Sequence, residues 1–184
     1  MPVFIAMLRG VNVGGHQKLT SAALKEVCES AGFTAVRTYL QSGNVVFAST
    51  SRSRTAIASR LRAALAKRTG VDVAVLLRTP ADFRAVIDEN PMSGAAEEQP
   101  NRFLVAFLEK PLDAKTKALL ERERNDPERL HFGRLELYAY LPAGSGTSKL
   151  GNVLTAKRLG VDCTTRNWNT VTALLALAEA TAAG

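Results

Sequence analysis

The order in which strand-like and helix-like stretches follow one another constrains this chain more than any single motif. Val3 to Leu8 is an apolar run of strand character. Thr20 or Ser21 caps a helix that stops at Gly32, a residue free to take positive φ. Val36 to Leu40 and Val45 to Ala48 are β-rich runs separated by Gln41-Ser42-Gly43-Asn44, whose polar turn chemistry makes the pair a hairpin. Ser51 or Ser53 starts a second helix with Ile57, Leu61, Ala64 and Leu65 on one face. It ends at Gly70, and Val71 to Leu77 follows as a strand. The resulting order is βαββαβ.

Thr79-Pro80-Ala81-Asp82 opens a connecting helix with a capping residue, a proline at the first helical position and a carboxylate in the first turn. Phe83, Val86 and Ile87 form its apolar stripe, and Asn90-Pro91 ends it. Met92 to Asn101 has loop composition and marks the subdomain boundary. Beyond it the same order returns: strand Arg102 to Leu108, helix Asp113 to Arg124, hairpin strands Arg129 to Phe132 and Leu135 to Leu141, helix Ser148 to Leu159, strand Val161 to Thr165. A last helix, about Trp168 to Ala180, buries Val171, Leu174, Leu175 and Ala178. No residue-level repeat accompanies the recurrence. The expected fold is α+β, with two ferredoxin-like βαββαβ subdomains, residues 1–90 including the connecting helix and residues 91–184 including the final helix.

With 184 residues the chain has room for one medium domain or two small halves, and 46% hydrophobic against 22% charged residues indicates a folded body. The net charge of +7, from 24 Lys and Arg against 17 Asp and Glu, favours an anionic partner. Cys28 and Cys163 are too few and too far apart for a zinc cluster or a disulfide framework, which makes a reducing cytoplasm the expected location. Leu24, Val27, Cys28 and Ala31 recur at helical spacing, so Cys28 is expected to face the core. Met-Pro-Val-Phe-Ile lacks a basic leader and no apolar run approaches about 18 residues, so secretion and membrane spanning are not expected.

In a split βαβ unit the loop after the first strand and the hairpin after the second share one sheet edge. Arg9-Gly10-Val11-Asn12-Val13-Gly14-Gly15 would therefore converge on Gln41 to Asn44. The convergence offers Arg9, Asn12, Gln41, Ser42 and Asn44 as side-chain donors around glycine backbone that can approach an anion closely. The same geometry in the second half pairs Gly144-Ser145-Gly146-Thr147-Ser148-Lys149 with Thr164-Thr165-Arg166-Asn167-Trp168-Asn169-Thr170. Both of these stretches lead into helix N-termini, and Lys149 and Arg166 add full charges. Two accounts stay open at this point. One is a ligand site; in the other, glycine loops and hairpins need these residues for φ alone, Ser148 and Asn167 are no more than N-caps, and Trp168 is a core aromatic.

Neither glycine loop matches a P-loop or a dinucleotide fingerprint, and no cofactor is called for. His16 and His131 lack metal-ligand spacing, and His16 beside the first loop reads as a solvent-exposed side chain ahead of an acid–base group. Ser51 to Gly70 carries Arg52, Arg54, Arg60, Arg62, Lys67 and Arg68 with no acidic residue, a face able to track phosphates or simply a solvated one. RNA-recognition domains share the element order, but Asn44-Val45-Val46-Phe47-Ala48 lacks their basic, glycine and aromatic signature.

These residues are similar to the bacterial domain-of-unknown-function 1697 family. The similarity rests on Met7-Leu8-Arg9-Gly10-Val11-Asn12-Val13-Gly14-Gly15, on Val36-Arg37-Thr38-Tyr39-Leu40-Gln41-Ser42-Gly43-Asn44-Val45-Val46-Phe47, on Ser148-Lys149-Leu150, and on Thr164-Thr165-Arg166-Asn167-Trp168-Asn169-Thr170-Val171. It implies a stand-alone cytosolic bacterial protein with two similar α+β subdomains, and no particular activity. The motif positions it transfers are Arg9, Asn12, Gly14, Gly15, Gln41, Ser42, Asn44, Arg166, Asn167 and Trp168. Where such relatives often have lysine soon after the double glycine, this chain has His16-Gln17-Lys18, which bears on the charge of the loop. Met92 stands after Asn90-Pro91 where an aromatic is common, which bears on packing.

The expected function is binding of a phosphorylated small molecule or nucleotide through the glycine loop, the hairpin and the basic helix N-terminus, with no catalytic residue assigned. Two alternatives accompany it: a nonspecific nucleic-acid-binding module using the Arg52 to Arg68 face, and a small phosphate-handling or hydrolytic enzyme in which Arg9 and Arg166 stabilise negative charge.

Overall fold

The computed structural model describes residues 1–10, 19–40 and 43–184. The chain divides into two compact units, one made of Met1–Arg84 with Ala173–Gly184 and the other of Ala85–Thr172. Each contains a four-stranded antiparallel sheet. The α+β class expected from the sequence is therefore the observed one, and the strand orders are compatible with ferredoxin-like halves.

In the first unit β1 (Val3–Arg9), α1 (Ser21–Ser30), β2 (Thr34–Tyr39), β3 (Asn44–Ala48), α2 (Arg54–Thr69) and β4 (Ala74–Arg78) follow one another. The sheet order is β2-β3-β1-β4. Alternation along β1 sends Phe4, Ala6 and Leu8 into one core with Val45, Phe47 and Leu77, where Leu24, Val27 and Cys28 of α1 and Ile57, Leu61 and Leu65 of α2 meet them. Phe47 is fully enclosed and stacks on Phe33 with ring centroids 4.2 Å apart. Burial, and secondarily Glu29, push the Cys28 thiol up to about 12, so it stays protonated as a small core hydrophobe.

Local chemistry sets the helix ends. Thr20 Oγ1 accepts from Ala23 N (3.1 Å) and Ser53 Oγ from Ala56 N (3.3 Å), which selects Thr20 and Ser53 among the candidate caps. Gly70 ends α2 at φ 74°, a conformation costly for other residues. The strand expected from Val71 begins only at Ala74, because Val71 is half exposed as the chain leaves that turn.

α3 (Pro80–Asp88) starts on a reciprocal cap. Thr79 Oγ1 accepts from Asp82 N (3.2 Å), while Asp82 Oδ2 accepts from Thr79 N (2.7 Å) and Thr79 Oγ1 (2.9 Å), and Arg54 pairs with the same carboxylate at 2.9 Å. Burial raises the Asp82 carboxyl, but the Thr79 hydrogen bonds and Arg54 outweigh it and hold the group below its ordinary value. Asp82→Ala is expected to cost about 1 kcal/mol at neutral pH. A carboxyl depressed in the folded state stabilises above its unfolded pKa of about 4, and that contribution is lost as pH falls through the lower folded value. Urea titrations of the two proteins should therefore differ at pH 7 and converge in acid; an equal gap at both pH values would exclude the charged cap as the cause.

The second unit takes in the end of α3 and continues with α4 (Ser93–Glu98), β5 (Phe103–Leu108), α5 (Ala114–Glu123), β6 (Arg129–Phe132), β7 (Glu136–Tyr140), α6 (Lys149–Val153), α7 (Ala156–Leu159), β8 (Cys163–Asn167) and the start of α8 (Trp168–Ala183). Its sheet order is β6-β7-β5-β8. Ala106 and Leu108 share a core with Leu137, Ala139, Leu120 and the α6–α7 residues Leu150, Val153 and Leu159.

Two expectations are corrected. Met92 to Asn101 is not all loop, because Ser93–Glu98 closes a short helix that buries Ala96. Ser148 to Leu159 is two short helices instead of one, since Thr155 takes an extended conformation (φ −127°, ψ 149°) that restarts the chain. The two compact units divide at 84/85, and the end of the final helix groups with the first unit, where Glu179 pairs with Arg84 at 2.5 Å.

Candidate functional site

The end of β1 and the β2–β3 hairpin meet at one edge of the first sheet. Met7 is in register with Asn44, and Leu8 N donates to Gly43 O at 2.7 Å. Arg9 and Gly10, both exposed, leave the sheet at this point, Gly10 with φ 75°. Arg9 lies opposite Ala74, and its charge helps to lower the Asp72 carboxyl, which is held chiefly by Arg62. Asn44 is fully buried, and its Nδ2 donates to Tyr39 O (3.2 Å), so part of its hydrogen-bonding capacity closes the hairpin. Asn12, Gly14, Gly15, His16, Gln41 and Ser42 lie outside the described residues.

In the second unit the ends of β7 and β8 flank the start of β5, with Phe103 opposite Tyr140 and Leu104 opposite Asn167. The two polar stretches thus reach the same sheet edge, but they present their charges differently. Arg166 is in register with Val105, on the face away from Ala106 and the core residues of α6. Its guanidinium donates to Thr164 Oγ1 (2.7 Å) and Thr165 O (2.8 Å), and burial lowers it to about 10, still a cation at neutral pH. Lys149 is exposed at the start of the helix whose Leu150 packs on the opposite face. Ser148 Oγ accepts from Gly151 N (2.9 Å) and Asn167 Oδ1 from Thr170 N (3.0 Å), the capping role for both. Trp168 is buried edge-on against Phe103, with ring centroids 5.4 Å apart, the core-aromatic role.

On the basic helix α2, Arg62 makes a two-pronged bond to Asp72 (3.2 and 2.6 Å) and Arg54 pairs with Asp82. Arg60 lies 4.5 Å from the Phe33 ring centroid. Half of the six cations on that segment are thus engaged within the protein. Among the described residues, no group of three His, Cys, Asp or Glu is placed to hold a metal ion. No helix there is long and apolar enough to cross a membrane.

Sequence reasoning missed a cleft of about 610 Å³ in the second unit. Lys110, Lys115 and Arg122 line it from the β5–α5 connection and α5, Lys157 and Arg158 from α7, and Asp113 is the one carboxylate among the lining residues. The signal was present as Lys157-Arg158 before Gly160 and as Lys115 and Arg122 seven residues apart on one helix face. It was dispersed along the chain, so no motif announced it.

Two α+β units with this strand order define the class of protein, and the family follows from the sequence. The chain belongs to the family described as "Protein of unknown function (DUF1697)", whose model matches residues 1–138. No curated protein matches it. Its fold is similar to that of the conserved bacterial protein SP0830 from Streptococcus pneumoniae, at 24% identity and a TM-score of 0.76, over 96% of this chain and 98% of the other.

Proposed function

We propose that this protein binds a phosphorylated small molecule or nucleotide at the glycine-rich rim of its first sheet. The observation that carries the reading is the 2.7 Å hydrogen bond from Leu8 N to Gly43 O, which ties the departure of Arg9-Gly10 to the hairpin. Arg9 supplies a cation there, and among the described residues a Cβ at Gly10 would meet nothing within 4 Å. In this reading Asn12, Gly14, Gly15, Gln41 and Ser42 complete the site by their place in the chain, each half is a ferredoxin-like subdomain, and the protein works in the cytoplasm.

Thermal-shift screening against nucleotides and sugar phosphates tests it, since a ligand at about 100 times its Kd stabilises by about 2.7 kcal/mol. At least one phosphorylated compound should raise Tm, and Arg9→Ala should weaken that compound about tenfold, the worth of one charge-assisted hydrogen bond. Silence across the panel, or an Arg9→Ala protein that binds as well as wild type, would sink the reading. Salt-steep binding of oligonucleotides lost on changing Arg52 or Lys67 would favour the nucleic-acid alternative, which the engagement of Arg54, Arg60 and Arg62 weakens. Phosphate release above blank would favour the enzyme.

A further inference from the structure

We infer that the cleft between α5 and α7 is a second anion site, separate from the rim of the first sheet, and that it takes a small ligand carrying two or more phosphate groups. Five cations line a concavity of about 610 Å³, and none of Lys110, Lys115, Arg122, Lys157 and Arg158 forms an ion pair among the described residues. Elsewhere on this chain arginines near a carboxylate are paired: Arg54 with Asp82, Arg62 with Asp72, Arg84 with Glu179 and Arg124 with Glu121. The cleft departs from that pattern.

The lone lining carboxylate does not neutralise it. Asp113 Oδ1 accepts from Thr116 N at 2.6 Å as the N-cap of α5, and Lys115 is one of the charges that lower it. Like charges facing one another across a concave wall repel, and the low-dielectric walls concentrate their field in the space between them. An anion in that space relieves the repulsion with every cation at once. The first turn of α5, a ten-residue helix, adds the positive end of its dipole on the same side.

Charge and shape together select the ligand class. Five positive groups exceed what a single phosphate uses, and arginines contributed by two separate helices suit forked bonds to separate phosphate oxygens. A nucleic-acid duplex needs cations spread along an extended track, whereas these are gathered in one hollow.

The test is calorimetric titration of the whole protein with inorganic tripolyphosphate at about 0.1 M ionic strength, where the Debye length is about 10 Å. Binding tighter than about 1 mM is expected, with Arg122→Glu/Lys157→Glu, one change on each wall, weakening it at least tenfold. Arg52→Glu/Lys67→Glu changes net charge equally and should leave affinity within about twofold, since long-range screened charge contributes little. If the reversal protein does not fold, Arg122→Gln/Lys157→Gln carries the same expectation. Absence of binding, equal weakening by the Arg52/Lys67 control, or displacement of tripolyphosphate by a far lower concentration of duplex oligonucleotide overturns the inference. ATP binding more tightly than tripolyphosphate identifies the ligand as a nucleotide, and equal affinity identifies it as a polyphosphate without a base. Arg9→Ala should leave cleft binding intact, which separates this site from the rim.

Discussion

Replacing Phe47 with alanine is expected to lower unfolding free energy by about 3–5 kcal/mol. Phe47 has no solvent exposure, stacks on Phe33 at 4.2 Å and lies tilted to Phe4 at 6.3 Å, so its ring joins strand, helix connection and sheet interior. Truncation removes its transfer free energy and leaves a void that β3, paired on both sides, cannot collapse to fill. Small domains are stable by only about 5–15 kcal/mol, so the change consumes a large share. Phe47→Leu keeps most of the volume and should cost roughly half as much or less. Urea denaturation at pH 7 measures both, and a loss below about 1 kcal/mol for alanine would contradict the packing described.

Trp168→Ala should cost a similar amount, about 3–5 kcal/mol, through the second unit. The indole is 8% exposed and edge-on to Phe103, and the backbone N–H of the same residue donates to Pro100 O at 3.0 Å. Asn101 Oδ1 then receives Nδ2 of Asn169 (2.9 Å) and of Asn167 (3.3 Å), so the first turn of α8 is fastened by ring, backbone and amides together. Trp168 is the one tryptophan of the chain, so its fluorescence reports on this packing directly. Native emission should be blue-shifted and shielded from iodide. A Trp168→Ala protein as stable as wild type would contradict the core-aromatic role.

Strand positions were legible because alternation and β-branched runs are local signals. Val3 to Leu8, Val45 to Ala48 and Arg102 to Leu108 each fall within a residue of an observed strand end. The short helices were not, since Ser93–Glu98 has no side-chain cap and is held by burial of Ala96, a tertiary effect. Nor was the break between α6 and α7. That break rests on the extended conformation of Thr155, a residue that no helix-breaking glycine or proline flanks. The meeting of the end of β1 with the hairpin at Gly43 was legible because the split βαβ order dictates which strand ends share an edge. Arg166 and Lys149 were placed on the same edge but not on opposite faces of the sheet. The face follows from strand register, which the sequence of β8, Cys-Thr-Thr-Arg-Asn, does not disclose by hydrophobic alternation. The cleft was illegible because its walls come from α5 and α7, which a hairpin and α6 separate along the chain.

The last helix begins in one unit and finishes in the other. Anyone wishing to produce the first half as an isolated fragment therefore needs two scissions, one after residue 84 and one before residue 173, and must carry the 12 terminal residues along as a separate peptide or splice them on. A single nick at the boundary yields an N-terminal piece stripped of part of its own packing.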